Sequence, residues 1–408
     1  MFKKVLSLIL SVAMLCTMTI AFVSCGGDGD NAMSESPLPI STPTADFEVP
    51  EDFKIGFICL HDETSTYDKN FINAVLRYQE ALGLTNDQVI IKKNVPETEK
   101  CYEAAIDLVA QGCDIIFANS FGHEAYIVQA AKAHPTVQFC HATGVTAAAS
   151  GLANFHNAFA SIYEGRYLAG IAAGLKLNEM IEEGKITADQ AKMGYVGAYT
   201  YAEVISGYTS FYLGAKSVCP TVTMEVQFTG SWYDVTEEKN AAEALIARNC
   251  VLISQHADSM GAPGACEAAG VPNVSYNGST YEACSETFIV SSAINWTPYY
   301  MYITKCFSTG ANIDADWCGG IEEGSVVLTG INLDVAAEGT VDAINEAIKA
   351  FKNGTLKVFA TNTFEFAAGQ DVPAELIAGG YFHESEAISA PAFSYEIVGI
   401  TRLNAIYE

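Results

Sequence analysis

Phe53-Lys54-Ile55-Gly56-Phe57-Ile58-Cys59-Leu60 is a short, largely apolar run that opens into His61-Asp62-Glu63-Thr64-Ser65-Thr66-Tyr67, after which helical periodicity holds over 68–81. A run of this length, rich in β-branched and aromatic residues and ended by polar ones, reads as a buried strand. The unit repeats. Gln88-Val89-Ile90-Ile91-Lys92, Asp114-Ile115-Ile116-Phe117-Ala118 and Val137-Gln138-Phe139-Cys140-His141 are further strand-like runs, separated by helical patterns near 100–111 and 124–133. Buried strands joined by crossover helices predict a parallel sheet.

The cycle restarts after a long helical segment near 162–183. Lys192-Met193-Gly194-Tyr195-Val196-Gly197, Thr223-Met224-Glu225-Val226-Gln227-Phe228, Val251-Leu252-Ile253-Ser254 and Asn273-Val274-Ser275-Tyr276 are strand-like, again with helices between them. Two such series predict an α/β chain of two doubly wound parallel-sheet lobes joined by a hinge, the architecture of a type I-like periplasmic binding protein. The lobes are expected at 52–160 and 161–290. Residues 291–408 are expected to return to the first lobe, complete the hinge and add a C-terminal extension. Within them, Gly324-Ser325-Val326-Val327-Leu328-Thr329 and a helix over 335–353 fit the return, and 363–395 reads as a loop-rich insertion.

The N-terminus carries a different message. Met1-Phe2-Lys3-Lys4 precedes an apolar run over 5–23 that ends at Ser24-Cys25, the pattern of a secretory signal. Phe22-Val23-Ser24-Cys25 resembles a bacterial lipobox, which makes 1–24 a signal peptide and Cys25 the lipid-bearing first mature residue. An uncleaved membrane helix is the alternative, because ~19 residues approach the minimum span of a bilayer. The polar tether Gly26-Gly27-Asp28-Gly29-Asp30-Asn31 favours the lipoprotein. Pro37, Pro39, Pro43 and Pro50 sit in a stretch without apolar periodicity, so 25–51 is expected to be a lipid-anchored flexible stalk.

Acidic residues number 48 against 21 basic ones. Loss of Lys3 and Lys4 with the signal leaves 19 basic residues and a net charge of −29. Nucleic acid is therefore an unfavoured partner, and so are anionic lipid headgroups, leaving the lipid itself as the membrane contact. Of twelve cysteines, ten lie beyond Cys25, and no CxxC pair occurs. Zinc-ribbon and thioredoxin readings have no support; Cys59, Cys113, Cys140 and Cys250 fall in apolar runs where a thiol acts as a small hydrophobe.

Ligands of open parallel sheets bind beyond the carboxyl ends of the strands. The loops there are polar and aromatic: Asp62 to Tyr67, Asn119-Ser120-Phe121-Gly122-His123, Thr229-Gly230-Ser231-Trp232-Tyr233-Asp234, Gln255-His256-Ala257-Asp258-Ser259, Asn277-Gly278-Ser279 and Asn295-Trp296-Thr297-Pro298-Tyr299-Tyr300. Aromatic faces beside carboxylates and amides suit a flat, hydrogen-bonding ring compound.

These loops, with His141-Ala142-Thr143-Gly144 and Tyr163-Glu164-Gly165-Arg166-Tyr167-Leu168-Ala169-Gly170, resemble in order those of the basic membrane protein family of ABC-transporter substrate-binding lipoproteins, the purine-nucleoside-binding type. The resemblance implies a purine base or nucleoside held between the lobes and handed to a transporter permease outside the cytoplasmic membrane, with no catalytic group, cofactor or metal. Tyr67 and Trp232 match the places of the two ring-sandwiching aromatics. Asn277 stands where nucleoside binders place a ribose-binding carboxylate, and no lysine lies near 291–296; both departures favour the free base. The ligand-binding set so implied is Asp62, Tyr67, Ser120, Phe121, Asn157, Trp232, His256, Asp258, Asn277, Asn295 and Trp296.

Several of these residues have plainer explanations. Trp296 and the tyrosines after it can open and pack a helix. Asp234 suits the N-cap of a helix starting at Val235, with Glu237 completing a capping box. Glu164 and Arg166 fit a hinge-locking pair. Rival functions are a ligand sensor without transport and a nucleoside-processing hydrolase, for which Ser120, His256 and Asp258 can be drawn as a triad. No GxSxG elbow, Walker loop or GxGxxG supports an enzyme.

Overall fold

The computed structural model describes residues 32–407; the signal, Cys25 and the tether that follows lie outside the described residues. The first lobe runs β1 (Ile55–Ile58), α1 (Thr66–Leu82), β2 (Val89–Lys92), α2 (Glu99–Ala110), β3 (Ile115–Ala118), α3 (Glu124–Ala133), β4 (Gln138–Ala142), the single turn α4 (Ala147–Ser150) and β5 (Phe155–Ala160). The second runs α5 (Ile162–Glu182), β6 (Lys192–Gly197), α6 (Ala202–Val218), β7 (Thr223–Phe228), α7 (Val235–Ala247), β8 (Leu252–His256), α8 (Gly261–Ala269), β9 (Asn273–Tyr276) and β10 (Phe288–Ile294). Then follow α9 (Thr297–Thr309), β11 (Asp316–Gly319), β12 (Val326–Leu328), α10 (Thr340–Lys352) and β13 (Ile400–Arg402).

One sheet has the order β11-β5-β4-β3-β1-β2 and is wholly parallel. The other has the order β12-β10-β9-β8-β6-β7-β13, parallel except where β12 runs against β10. This is the α/β periplasmic-binding-protein fold expected from the alternation. In each sheet the strand order reverses beside the first strand, between β1 and β3 and between β6 and β8, so each lobe offers a crevice at the carboxyl ends of its strands. Helices cover both faces, which is why β1, β3 and β8 are buried along their whole length.

Local chemistry fixes the ends of α1, which faces the crevice. Ser65 caps it by accepting from Asp68 N, and its hydroxyl donates to Asp68 Oδ2 at 2.9 Å. Gly83, at φ 62°, closes it in the left-handed conformation that glycine adopts without strain. The pair α5 and α6 packs closely because Gly170 and Gly214 lie at the crossing. A Cβ at either would stand 2.1 Å from Phe211 O or 2.0 Å from Tyr167 O.

The chain passes between the sheets three times, after β5, after β10 and after β11. Two expectations are corrected here. The return to the first sheet is made by α9, which packs on α1, and by β11; β12 and α10 belong with the second sheet and α5. The stretch expected to be a flexible stalk is docked from Ala32 onward. Leu333 N donates to Ala32 O at 2.6 Å, Ser34 N to Ile331 O at 2.8 Å and Leu328 N to Leu38 O at 2.9 Å. Leu38 is buried, and Phe47 and Val49 pack against the core. Main-chain pairing to an edge needs no apolar periodicity, so composition alone does not show it. The loop-rich segment after α10 gathers Phe359, Phe364, Phe366, Phe382 and Phe393 into an aromatic cluster.

Candidate functional site

A cleft with about 380 Å³ of empty space, part of it open to solvent, lies between the two crevices, lined by Leu60, Tyr67, Asp68, Ser120, Phe121 and Thr143 of the first lobe and Glu203, Trp232, His256, Asp258 and Tyr276 of the second. Each lining side chain sits at the last residue of a strand, just past one, or in the first turn of α1 or α6.

On the first-lobe wall the polar groups are largely occupied by neighbours. Asp68 accepts from His61 N and Ser65 Oγ and from Asn119 Nδ2 at 2.8 Å. Ser120 Oγ donates to Glu97 at 2.6 Å, and Tyr67 Oη to Asn119 O at 2.6 Å. His141 Nε2 lies 2.7 Å from Ser120 O, and burial pushes its pKa down to about 4. The loop after β4 is tight against this scaffold: a Cβ on Gly144 would lie 2.1 Å from Asn157 Nδ2 and 2.5 Å from His141 Nδ1. Thr143 Oγ1 is buried and bonds to no atom of the described residues.

The second-lobe wall is where acidic and unpartnered groups converge. Burial, reinforced by the charges of Glu238, Asp68 and Glu203, raises Asp258 well above the usual carboxylate range, and the Asn277 amide pulls the other way. The shift favours the protonated form, which donates as well as accepts. His256 Nε2 stands 3.4 Å from Glu203 Oε1; burial lowers the imidazole's pKa more than Glu203 raises it. Tyr276 Oη, buried, bonds to no atom of the described residues. Beneath Tyr276 the wholly buried Arg166 donates to Tyr195 Oη at 3.0 Å and Ser254 Oγ at 2.8 Å, with the rings of Tyr195, Phe211 and Tyr276 5.1–5.4 Å away. Trp232 stands edge-on to Tyr199 at 5.4 Å, and Tyr201 reaches Phe121 of the opposite lobe at 5.4 Å.

Of the residues singled out from sequence, Tyr67, Ser120, Phe121, Trp232, His256 and Asp258 are brought together around this cavity, with Asn277 beside Asp258. Four lie elsewhere. Asp62 turns to its own loop, bonding Thr64 and Asn94, which lowers its pKa to about 2. Asn157 braces the loop after β4, accepting from Ala147 N at 2.7 Å and donating to Glu124 at 3.1 Å. Asn295 holds the chain crossings through Ser41 O at 2.8 Å and Gly324 O at 3.1 Å. Trp296 is 1% exposed and stacks on Phe71 at 4.4 Å inside the first lobe.

The supposed pairings also dissolve. Ser120 bonds Glu97 and His256 faces Glu203, so the drawn triad does not assemble. Glu164 accepts from Ile321 N at 2.8 Å while Arg166 points into the second lobe, because positions two apart on a helix face different ways. Asp234 caps α7 through Thr236 N and Glu237 N, but the reciprocal bond comes from Glu238, one residue later than expected. Among the described residues no three His, Cys, Asp or Glu side chains gather as a metal site. Leu60, Asp68, Thr143, Glu203 and Tyr276 are lining residues that sequence reading passed over. Glu203 had a legible signal: Tyr199-Thr200-Tyr201 follows β6 and leads to it.

A family model described as ABC transporter substrate-binding protein, PnrA-like, matches residues 59–361. A putative ABC transporter glucose-binding protein of Haloferax volcanii is 32% identical over 267 residues, 64% of this chain; the alignment spans 63% of that relative's length. A purine-binding protein of Brucella abortus is 31% identical over 281 residues, 68% of this chain and 75% of the relative. Among solved structures, an ABC transporter solute-binding protein of Conexibacter woesei aligns with TM-score 0.60 and 20% identity, covering 75% of this chain and 98% of its own.

Proposed function

Because the chain belongs to the Bmp family of PnrA-like ABC transporter substrate-binding proteins, we propose that it captures a purine, the base ahead of the nucleoside, between its lobes for uptake. Proteins of this family and fold are solute binders, not enzymes, and solute-binding proteins of ABC systems work outside the cytoplasm. In this reading Cys25 carries the lipid that holds the protein to the membrane, and the permease takes the ligand from the cleft.

The observation that carries the reading is the uneven distribution of polar groups around the cavity. Tyr67, Phe121 and Trp232 offer ring faces, while Asp258, Tyr276, His256 and Glu203 converge from one lobe. A planar heteroaromatic ring has two apolar faces and a hydrogen-bonding edge, and fits that division. A sugar presents hydroxyls around its whole rim, and the first-lobe groups that would meet them are already bonded, Thr143 apart. Asn277 supports the base over the nucleoside, since an amide binds a diol less strongly than a charged carboxylate does.

Calorimetry against adenine, guanine, adenosine, guanosine, glucose and a set of amino acids tests this. Binding of a purine at low micromolar affinity or tighter, with no ligand turnover, is the expected outcome. A response to glucose or amino acids alone would overturn it.

A further inference from the structure

Thr66 is the first residue of α1 in the first lobe, yet its backbone N–H donates across the cleft to Asp258 O of the second lobe at 2.9 Å. Its hydroxyl donates to the same carbonyl at 3.1 Å. The peptide on the other side of Asp258 is also engaged: Asp258 N donates to Trp232 O at 2.9 Å. Tyr67 is the residue after Thr66. A continuous backbone chain, Tyr67 to Thr66 to Asp258 to Trp232, therefore joins the two lobes and connects the aromatics on either side of the cavity.

We propose that the Thr66 amide is the closure latch of this protein, a positioning residue that locks the lobes and sets the gap between Tyr67 and Trp232 without touching the ligand. The inference rests on the reading of the cleft as the binding site. The first N–H groups of a helix have no partner within the helix and must find one outside it. When the lobes part, water replaces Asp258 O. When they meet, the donors of the helix end are satisfied by the residue whose side chain faces the ligand, so a ligand that fixes Asp258 also fixes the latch. The bond is to a carbonyl and is indifferent to ligand identity, so the latch governs how long any ligand stays, while the Asp258 side chain governs which one is chosen.

The test is Thr66→Pro. Proline is well suited to the first position of a helix, and Ser65, at φ −78° and ψ 129°, already has the extended backbone that the residue before proline requires. The variant loses both donors and places a CH₂ where the amide hydrogen was, leaving the Ser65 cap intact. Thr66→Val, which keeps the N–H and removes only the hydroxyl, is the companion. Each is measured by calorimetry and stopped-flow with every compound the parent binds from the panel above, and by small-angle scattering without and with adenine.

Thr66→Pro should weaken binding by about 2- to 12-fold per hydrogen bond lost, through faster dissociation and by the same factor for every ligand. Its ligand-free radius of gyration should exceed the parent's, and its ligand-free melting temperature should be unchanged. Thr66→Val should show a smaller loss of the same kind. Parent-like dissociation and radius in Thr66→Pro, or a loss that differs from ligand to ligand, overturns the latch. If Thr66→Pro does not fold, amide hydrogen exchange in the parent decides: a Thr66 N–H no better protected with saturating ligand than without it overturns the latch. If the parent binds sugar and no purine, the ligand reading fails while the scattering comparison still decides the latch.

Discussion

Trp232 and Trp296 show how two residues of one type, each a short step past a strand, come to do different work. Trp296 is enclosed by Phe71, Phe117, Phe159 and Tyr299, with ring centroids 4.4–6.4 Å away. Trp232 is half-buried, with the rings of Tyr199 and Tyr201 beside it. Trp296→Ala should therefore cost ~3–5 kcal/mol of folding free energy, the range for large core aromatics. Trp232→Ala should leave the melting temperature within a degree or two and cost ~1–3 kcal/mol of purine binding, the magnitude of base stacking on an aromatic side chain. Thermal melts and calorimetry on the two variants check this. A Trp232→Ala protein that binds as tightly as its parent but melts several degrees lower would make Trp232 a packing residue. In the sequence both tryptophans stand past strands, and for Trp296 a packing role and a ligand role are both open. What separates them is that α9 folds back on α1, a contact between residues more than two hundred positions apart that no local pattern encodes. Long-range contact also engages Asn295, whose amide is taken by Ser41 and Gly324 from distant parts of the chain.

At the scale of elements, the strands that lie in mid-sheet were the most legible. β6, β7 and β9 fall on the runs read from sequence: β6 and β9 are buried almost throughout, and β7 alternates, with Met224, Val226 and Phe228 buried and the residues between them less so. β11 and β13 are edge strands of mixed character, Asp316-Trp317-Cys318-Gly319 and Ile400-Thr401-Arg402, and carry too little apolar signal to be found. The segment over 363–395 carries no strand or α-helix, so periodicity has nothing to show there. Its order comes from the aromatic cluster and from Glu384, which accepts from Ser206 Oγ, from Ala392 N at 3.0 Å and from Phe393 N at 2.8 Å. Burial raises the Glu384 carboxyl to about 7. A carboxyl raised in the folded state stays protonated there while the unfolded chain ionises, so its contribution to stability is lost as pH rises from about 4.5 through about 7. Glu384→Gln mimics the protonated group and keeps an acceptor for both amides and a donor for Ser206. Its melting temperature relative to the parent should rise steadily between pH 5 and pH 8, on the order of a few degrees. A difference that does not change with pH would mean that Glu384 is ionised throughout.

For the whole molecule, the two-lobed architecture followed from the repeat of βα units, but the route of the N-terminal segment did not. Residues 32–38 pair with the end of β12 and the stretch after it at the edge of the second sheet, Ser41 meets Asn295 where the chain crosses, and Asp46 reaches Lys305 on α9. The segment thus runs from one lobe to the other across their connections. Its anchorage is mostly main-chain: Leu328 N, Ile331 N and Leu333 N all donate to it, at 2.6–3.0 Å. The ion pair at Asp46 is exposed and adds little. With each intramolecular hydrogen bond worth a net ~0.5–1.5 kcal/mol, and with the burial of Leu38 added, removal of the segment should destabilise the fold by about 2–4 kcal/mol. A protein beginning at residue 32 should retain this contribution, and one beginning at residue 51 should melt several degrees lower. Faster amide hydrogen exchange should appear at Leu328, Ile331 and Leu333, whose partners are gone, and not at β3 or β8 in the sheet interiors. Identical melting of the two truncations, or exchange that quickens evenly through both lobes, would mean that the segment is a passive tether and not part of the folded unit.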